Sequence, residues 1–281
     1  MEKYIDLHTH STCSDGTFTP EEIIKKAYEL GLAAVAITDH DTLSGVKEAI
    51  EAGKKYGIEV IAGIEFSVDN DYPMHILGLD FSFPCSSMEN TLNALTADRQ
   101  DRMKKMLLKL KDLGISIDES DVMEFAGGES VGRPHIAQAM VKKGYVSTIL
   151  EAFQKYLAFG MPAYVKRKKL TAYEIINLIK ENGGQSFVAH LHQTGKTTDE
   201  LYEIISDLKA HGLDGIEGYH TEYTAEMGMD YRKLADDLEL IISGGSDFHG
   251  NNKVNVNLGT GRGDMKIPYS VLENIKKHRL Y

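Results

Sequence analysis

Tyr4-Ile5-Asp6-Leu7-His8-Thr9-His10 opens the chain with a short apolar run ending on two histidines, and Ala33-Ala34-Val35-Ala36-Ile37-Thr38-Asp39-His40-Asp41 repeats the layout. Such runs are what buried parallel strands look like, because both faces of each strand are covered. The same reading extends outward to residues 59–64, which run into Gly63-Ile64-Glu65, and 185–190, which end Val188-Ala189-His190. It continues at 215–219, within Glu217-Gly218-Tyr219-His220, and at 240–243, which run into Gly244-Gly245-Ser246-Asp247-Phe248-His249. Each run ends in residue types that bind metals or move protons. In a barrel of parallel strands the carboxyl ends share one face, so these distant residues are expected to form one cluster. Residues 75–81 are the exception. His75 precedes the apolar Ile76-Leu77-Gly78-Leu79, so that strand either runs against the others or begins at the site.

Helical stretches alternate with these strands. Thr19-Pro20-Glu21-Glu22 and Thr171-Ala172-Tyr173-Glu174 carry the capping-box pattern, and Gly31 and Gly183 close the helices that follow. The alternation predicts an α/β fold. It stops between residues 88 and 169, where only helical periodicity is visible, including a charged stretch over 98–110. We read 88–169 as a small helical insertion, and 1–87 with 170–281 as the main domain.

Composition narrows the function. The chain has 281 residues, 42% of them hydrophobic, and 31 Lys+Arg against 42 Asp+Glu give a net charge of −11. This is an ordinary globular composition, which excludes disordered and fibrous classes. No apolar run is long enough to cross a bilayer and no leader pattern is visible, so a cytoplasmic protein is expected. Two cysteines, Cys13 and Cys85, make no disulfide framework. The acidic balance argues against gripping long nucleic acids by charge, while bound divalent cations would still admit a small phosphorylated substrate.

His8 and His10, two apart on an extended segment, point to the same side and suit one ion. Imidazoles mixed with carboxylates, without thiolates, favour zinc, manganese or iron over calcium or magnesium. The candidate ligands number about nine against roughly four for one zinc, which implies two or three ions.

His8-Thr9-His10-Ser11, Ser14-Asp15-Gly16, Thr38-Asp39-His40-Asp41-Thr42, Gly63-Ile64-Glu65, Ala189-His190 and Gly245-Ser246-Asp247-Phe248-His249 together resemble the polymerase and histidinol phosphatase (PHP) superfamily. The resemblance implies a distorted (β/α)7 barrel with a trinuclear or otherwise multinuclear metal site. It implies metal ligands at His8, His10, Asp15, His40, Glu65, His75, His190, Asp247 and His249, with Glu65 bridging ions and with Asp247, His249 and Glu65 closest to catalysis. Manganese is the first expectation, with zinc or iron(II) as alternatives. Gly132-Arg133-Pro134-His135-Ile136-Ala137, at a helix start in the insertion, resembles the subgroup that removes the 3′-phosphate of nucleoside 3′,5′-bisphosphates. Some members of that subgroup degrade short RNA from the 5′ end. Arg133 and His135 are then expected to bind phosphate, with the insertion acting as a lid. Histidinol phosphate is a further substrate the superfamily allows, and no obligate protein partner is indicated. The family usually has Pro after the residue at 190, whereas Leu191 and His192 follow here. We place His192 in the adjacent loop.

Other features take plainer readings. Lys166-Arg167-Lys168-Lys169 reads first as a solvated face, Cys13 as a small packed thiol, and His211 and His278 as surface residues at helix ends. His220, beside a strand end, is left open as a substrate contact.

Overall fold

The computed structural model of the chain describes residues 3–125 and 131–278. The chain divides into two compact units, Met1–Glu89 with Leu170–Tyr281, and Asn90–Lys169. The strands are β1 (Tyr4–Asp6), β2 (Ala34–Ile37), β3 (Glu59–Ser67), β4 (His75–Leu79), β5 (Gln185–Val188), β6 (Gly215–His220), β7 (Ile241–Gly245) and β8 (Ile267–Pro268). The helices are α1 (Pro20–Glu29), α2 (Val46–Tyr56), α3 (Ser86–Asp112), α4 (Glu119–Met123), α5 (Arg133–Lys142), α6 (Ile149–Ala152), α7 (Ala172–Glu181), α8 (Thr198–Ala210), α9 (Ala225–Asp237) and α10 (Ser270–Lys277). Among the described residues no helix is long and apolar enough to cross a membrane.

The strands form one eight-stranded sheet in the order β7-β6-β5-β4-β3-β2-β1-β8. β1, β2 and β3 pair in parallel, as do β5, β6 and β7, while β4 is antiparallel to both β3 and β5. Beyond the end of β1 the chain meets β7. Leu7 N–H donates to Gly244 C=O at 3.1 Å, Asp247 N–H to His8 C=O at 2.9 Å and His10 N–H to Phe248 C=O at 2.8 Å. The sheet therefore curls into a nearly closed barrel, and this α/β barrel is the fold the strand pattern predicts. Gly245 makes the seam possible, since a Cβ there would lie 2.2 Å from His8 Cβ and 2.4 Å from its backbone nitrogen.

β8 is an addition to the seven expected strands. It pairs antiparallel with the start of β1 through Tyr4↔Pro268 and Ile5↔Ile267. Two residues carry no periodicity to read, and Pro268 is tolerated because β8 is an edge. The helix starts are as expected. Thr19 accepts the Glu22 amide while Glu22 accepts the Thr19 amide at 2.8 Å, and Thr171 and Glu174 repeat the exchange. Gly31 and Gly183 then take φ of +72° and +73°, which glycine adopts without strain.

The barrel core gathers Ile5, Leu7, Ala34, Ala36, Leu77 and Phe187, and a second cluster packs α1 and α2 on β2 through Ile23, Ile24, Ala49, Ala52, Val35 and Ile37. The unit Asn90–Lys169 has its own core. There the charged stretch of α3 turns Met103, Met106, Leu107 and Leu110 inward at helical spacing, against Ile136 and Met140 of α5.

Candidate metal centre

β1 runs past Asp6 into His8 and His10, β2 runs into His40, and β3 places Glu65 near its end. β4 resolves the exception. Because it runs antiparallel, Ser67 of β3 pairs with His75, so the first residue of β4 lies at the carboxyl end of its neighbours. His190 follows β5, and Asp247 and His249 follow β7. His190 and Asp247 both have positive φ, at 26° and 57°, a strained backbone for residues with a Cβ and one that recurs at functional sites.

Glu65 is fully buried and sits at the middle. Its Oε1 lies 2.8 Å from both His75 Nδ1 and His190 Nε2. Its Oε2 lies 3.3 Å from His8 Nε2, 3.2 Å from His10 Nε2 and 3.0 Å from His40 Nδ1. Asp247 Oδ1 stands 3.4 Å from His10 Nε2 and 3.3 Å from His249 Nδ1. Asp15, more than half exposed, reaches His249 Nε2 at 3.2 Å and His40 Nε2 at 3.7 Å. All nine residues singled out from the sequence thus converge: seven fall in three overlapping groups, His8, His10 and Glu65; His40, Glu65 and His75; and His10, Asp15, His40 and His249, while His190 joins them through Glu65 and Asp247 through His10.

This donor set fits divalent ions. Glu65 Oε2, His10 Nδ1 and His40 Nδ1 are buried and make no hydrogen bond among the described residues, although acceptor and ring nitrogens crowd around them. Buried polar atoms seldom stay unpaired. Atoms bonded to one ion at about 2.0–2.2 Å stand roughly 3.0–3.5 Å apart, which is the spacing found around Oε2.

Charges in the cluster support one another. Burial opposes the charge on Glu65 and Asp247, but the surrounding histidines outweigh it and hold both carboxyls well below the usual range. Burial likewise lowers His8 and His10, yet Glu217, Glu65 and Asp247 raise His8 well above its ordinary value. Asp247 and Glu65 raise His10 to about 9. His40 goes the other way, held down to about 4 by burial, with His10 and His75 adding to the effect.

Three buried carboxylates behind the cluster were not singled out from the sequence. Glu217 accepts from His8 Nδ1 at 2.9 Å and from the His190 amide at 2.7 Å. Asp39 accepts from the Ser11 amide at 2.7 Å and from the Ser11 and Ser14 hydroxyls at 2.6 Å, which folds the loop leading to Asp15. Asp6 takes the Ser246 amide and hydroxyl and the Gly259 amide, tying β1 to the segment after β7. For Asp6 and Glu217 the sequence signal is a carboxylate inside an apolar run, which demands partners when buried.

His192 lies in a 3₁₀ turn, Leu191–Thr194, and meets Glu222 at 3.1 Å rather than Glu65. His220 is buried, its Nδ1 accepting the Glu222 amide at 3.1 Å and its Nε2 lying 3.4 Å from Asp247 Oδ2. His211 and His278 cap the ends of α8 and α10, as expected.

In the unit Asn90–Lys169, α5 begins at Arg133 with Pro134 in its first turn, and the Gly132 amide donates to His135 Nδ1 at 3.2 Å. The Arg133 guanidinium donates to Leu157 C=O at 3.3 Å and lies over the rings of Phe153 and Tyr164, 5.5 and 5.6 Å from their centroids. Arg102 shares Tyr164 at 5.9 Å, and burial together with the like charges of Arg133 and Arg167 pulls its pKa down. A group of guanidiniums repelling one another is a ready anion site. Arg102 and Tyr164 were not legible as part of it, because only folding brings α3 beside residues 153–167.

A family model for the PHP domain matches residues 6–220. A Haemophilus influenzae protein named 5′-3′ exoribonuclease is 36% identical over 89% of this chain and 91% of its own length. A Chromobacterium violaceum protein named 3′,5′-nucleoside bisphosphate phosphatase is 32% identical over 87% of each chain. A crystal structure from Bifidobacterium adolescentis, provisionally named a metal-dependent phosphoesterase, superposes with a TM-score of 0.77 at 29% identity, covering 99% of this chain and 97% of its own.

Proposed function

Because the chain belongs to the PHP domain family and is a metal-dependent phosphoesterase, we propose that it removes the 3′-phosphate from nucleoside 3′,5′-bisphosphates, giving nucleoside 5′-monophosphate and phosphate. The observation that carries this reading is the convergence of histidines on Glu65, with buried ligand atoms that no group among the described residues satisfies. His8, His10, Asp15, His40, Glu65, His75, His190, Asp247 and His249 would hold two or three divalent ions, manganese first. When bound, such ions supply Lewis acidity for the phosphoryl oxygens and an acidified water.

The chain's own part is to position. Glu65 presents two oxygens to two sides of the cluster, and Asp247 is set by its left-handed backbone. Arg133, whose planar fork matches phosphate geometry, and His135 at the same helix start meet the non-reacting 5′-phosphate in this reading. The guanidinium group of Arg133 and Arg102 supports a substrate with a second phosphate over one with a single phosphate.

A second reading is 5′-to-3′ exonuclease action on short oligonucleotides, favoured by the name of the Haemophilus relative. Both would use the same metals and differ in the leaving group. The test is phosphate release with Mn²⁺ from adenosine 3′,5′-bisphosphate, 5′-phosphorylated short RNA and histidinol phosphate in parallel, following products. Conversion of the bisphosphate to 5′-AMP with little else supports the proposal. Stepwise mononucleotide release from RNA at comparable efficiency overturns it in favour of the exonuclease.

A further inference from the structure

Asp247 turns its two oxygens to different neighbours. Oδ1 faces ring nitrogens of His8, His10 and His249, at 3.6, 3.4 and 3.3 Å. Oδ2 is contacted by Lys253 Nζ and lies 3.4 Å from His220 Nε2. The Glu222 amide donates to His220 Nδ1, so the neutral His220 ring carries its proton on Nε2 and gives it to Oδ2. One oxygen thus belongs to the ligand cluster and the other to a pair of donors outside it.

Lys253 is more open to solvent than the carboxylate it contacts. Its side chain is 34% exposed, whereas that of Asp247 is 4% exposed and that of His8 is 0%. Its backbone is nevertheless held firmly. The turn Gly250–Lys253 is braced to the loop carrying Asp15: the Asn251 amide donates to Thr17 Oγ1 at 2.8 Å, and Asn252 Nδ2 to the Asp15 carbonyl at 2.7 Å. Gly250, at φ +63°, packs so tightly that a Cβ would lie 2.2 Å from Thr17 Oγ1. A compact ammonium on a braced turn, partly open to solvent and within one carboxylate of the ligand atoms, is well suited to meet a phosphoryl oxygen.

We propose that Lys253 is a phosphate-binding residue of this site, turning its ammonium from Asp247 Oδ2 toward an oxygen of the bound phosphoryl group. This rests on the phosphoesterase reading but not on the identity of the nucleoside. The lysine acts by charge and hydrogen bonding, and no proton leaves it. His220 stays on Oδ2 and keeps Asp247 oriented when the lysine engages substrate.

The test is calorimetric titration of the manganese-loaded protein with inorganic phosphate, alongside metal content by elemental analysis. Lys253→Met is expected to weaken phosphate binding by about tenfold or more with unchanged metal content, and Lys253→Arg to recover most of it. Unchanged phosphate affinity in fully loaded Lys253→Met overturns the proposal and leaves the lysine as a brace for Asp247. Should Lys253→Met lose metal, Lys253→Gln is titrated at saturating Mn²⁺ against the same tenfold criterion. The probe is phosphate alone, so a negative product assay with the bisphosphate leaves this result readable.

Discussion

His8 and Glu217, 209 residues apart in sequence, are joined by a buried 2.9 Å hydrogen bond from imidazole Nδ1 to carboxylate Oε1. The bond leaves His8 Nε2 facing Glu65 and His10, and the other Glu217 oxygen holds the His190 amide, so one carboxylate orients two members of the cluster. A carboxylate behind a ligating histidine fixes its tautomer and ring angle, and its loss costs about 10–100-fold in metal affinity. Glu217→Gln should therefore keep the fold by circular dichroism and lose manganese to a competing chelator at that scale. Unaltered retention would remove Glu217 from the site's support.

Acidity in the metal-free cluster makes stability depend on pH in a defined direction. His8 and His10 are raised above their ordinary value of 6.5, His10 to about 9. The stability this contributes is complete below pH 6.5 and is lost as pH rises through about 9. His40, held at about 4, acts only below pH 6.5. Chelator-treated protein should thus melt at progressively lower temperature from pH 6.5 to 9. Metal-loaded protein should not share this loss, because ions replace the protons. Parallel melting curves for the two forms would contradict this.

The seam between β1 and β7 depends on Gly245. A methyl group there meets His8 Cβ and backbone nitrogen, neither of which can swing away. Gly245→Ala should cost about 1–3 kcal/mol in denaturant unfolding and lower metal occupancy, since His8 moves with the seam. Stability within error of the parent would show that the seam yields more easily than the packing indicates.

If Arg133 holds the non-reacting phosphate, as proposed, it should divide substrates with two phosphates from those with one. Arg133→Lys keeps the charge but loses the planar fork and its stacking on Phe153 and Tyr164. For adenosine 3′,5′-bisphosphate KM should rise about tenfold, with little change for a nucleoside 3′-monophosphate. An equal effect on both substrates would place Arg133 on the reacting phosphate instead.

Much of this molecule is written locally. Each ligand type at a strand end, from His8 and His10 to Asp247 and His249, is legible because a buried strand and its carboxyl-terminal loop are short-range patterns. The capping boxes at Thr19 and Thr171 are legible for the same reason. The direction of β4, the two-residue β8, the bond from His8 to Glu217, the contact of Lys253 with Asp247 and the sharing of Tyr164 by Arg102 and Arg133 were decided only by tertiary structure. Each depends on which residues face one another across strand registers and helix packings, set by the free energy of closing the barrel and burying its core rather than by any neighbour in the chain. The sequence alone determined which chemistry the chain carries. The closed fold determined which oxygen of Asp247 meets the histidines and which meets the lysine.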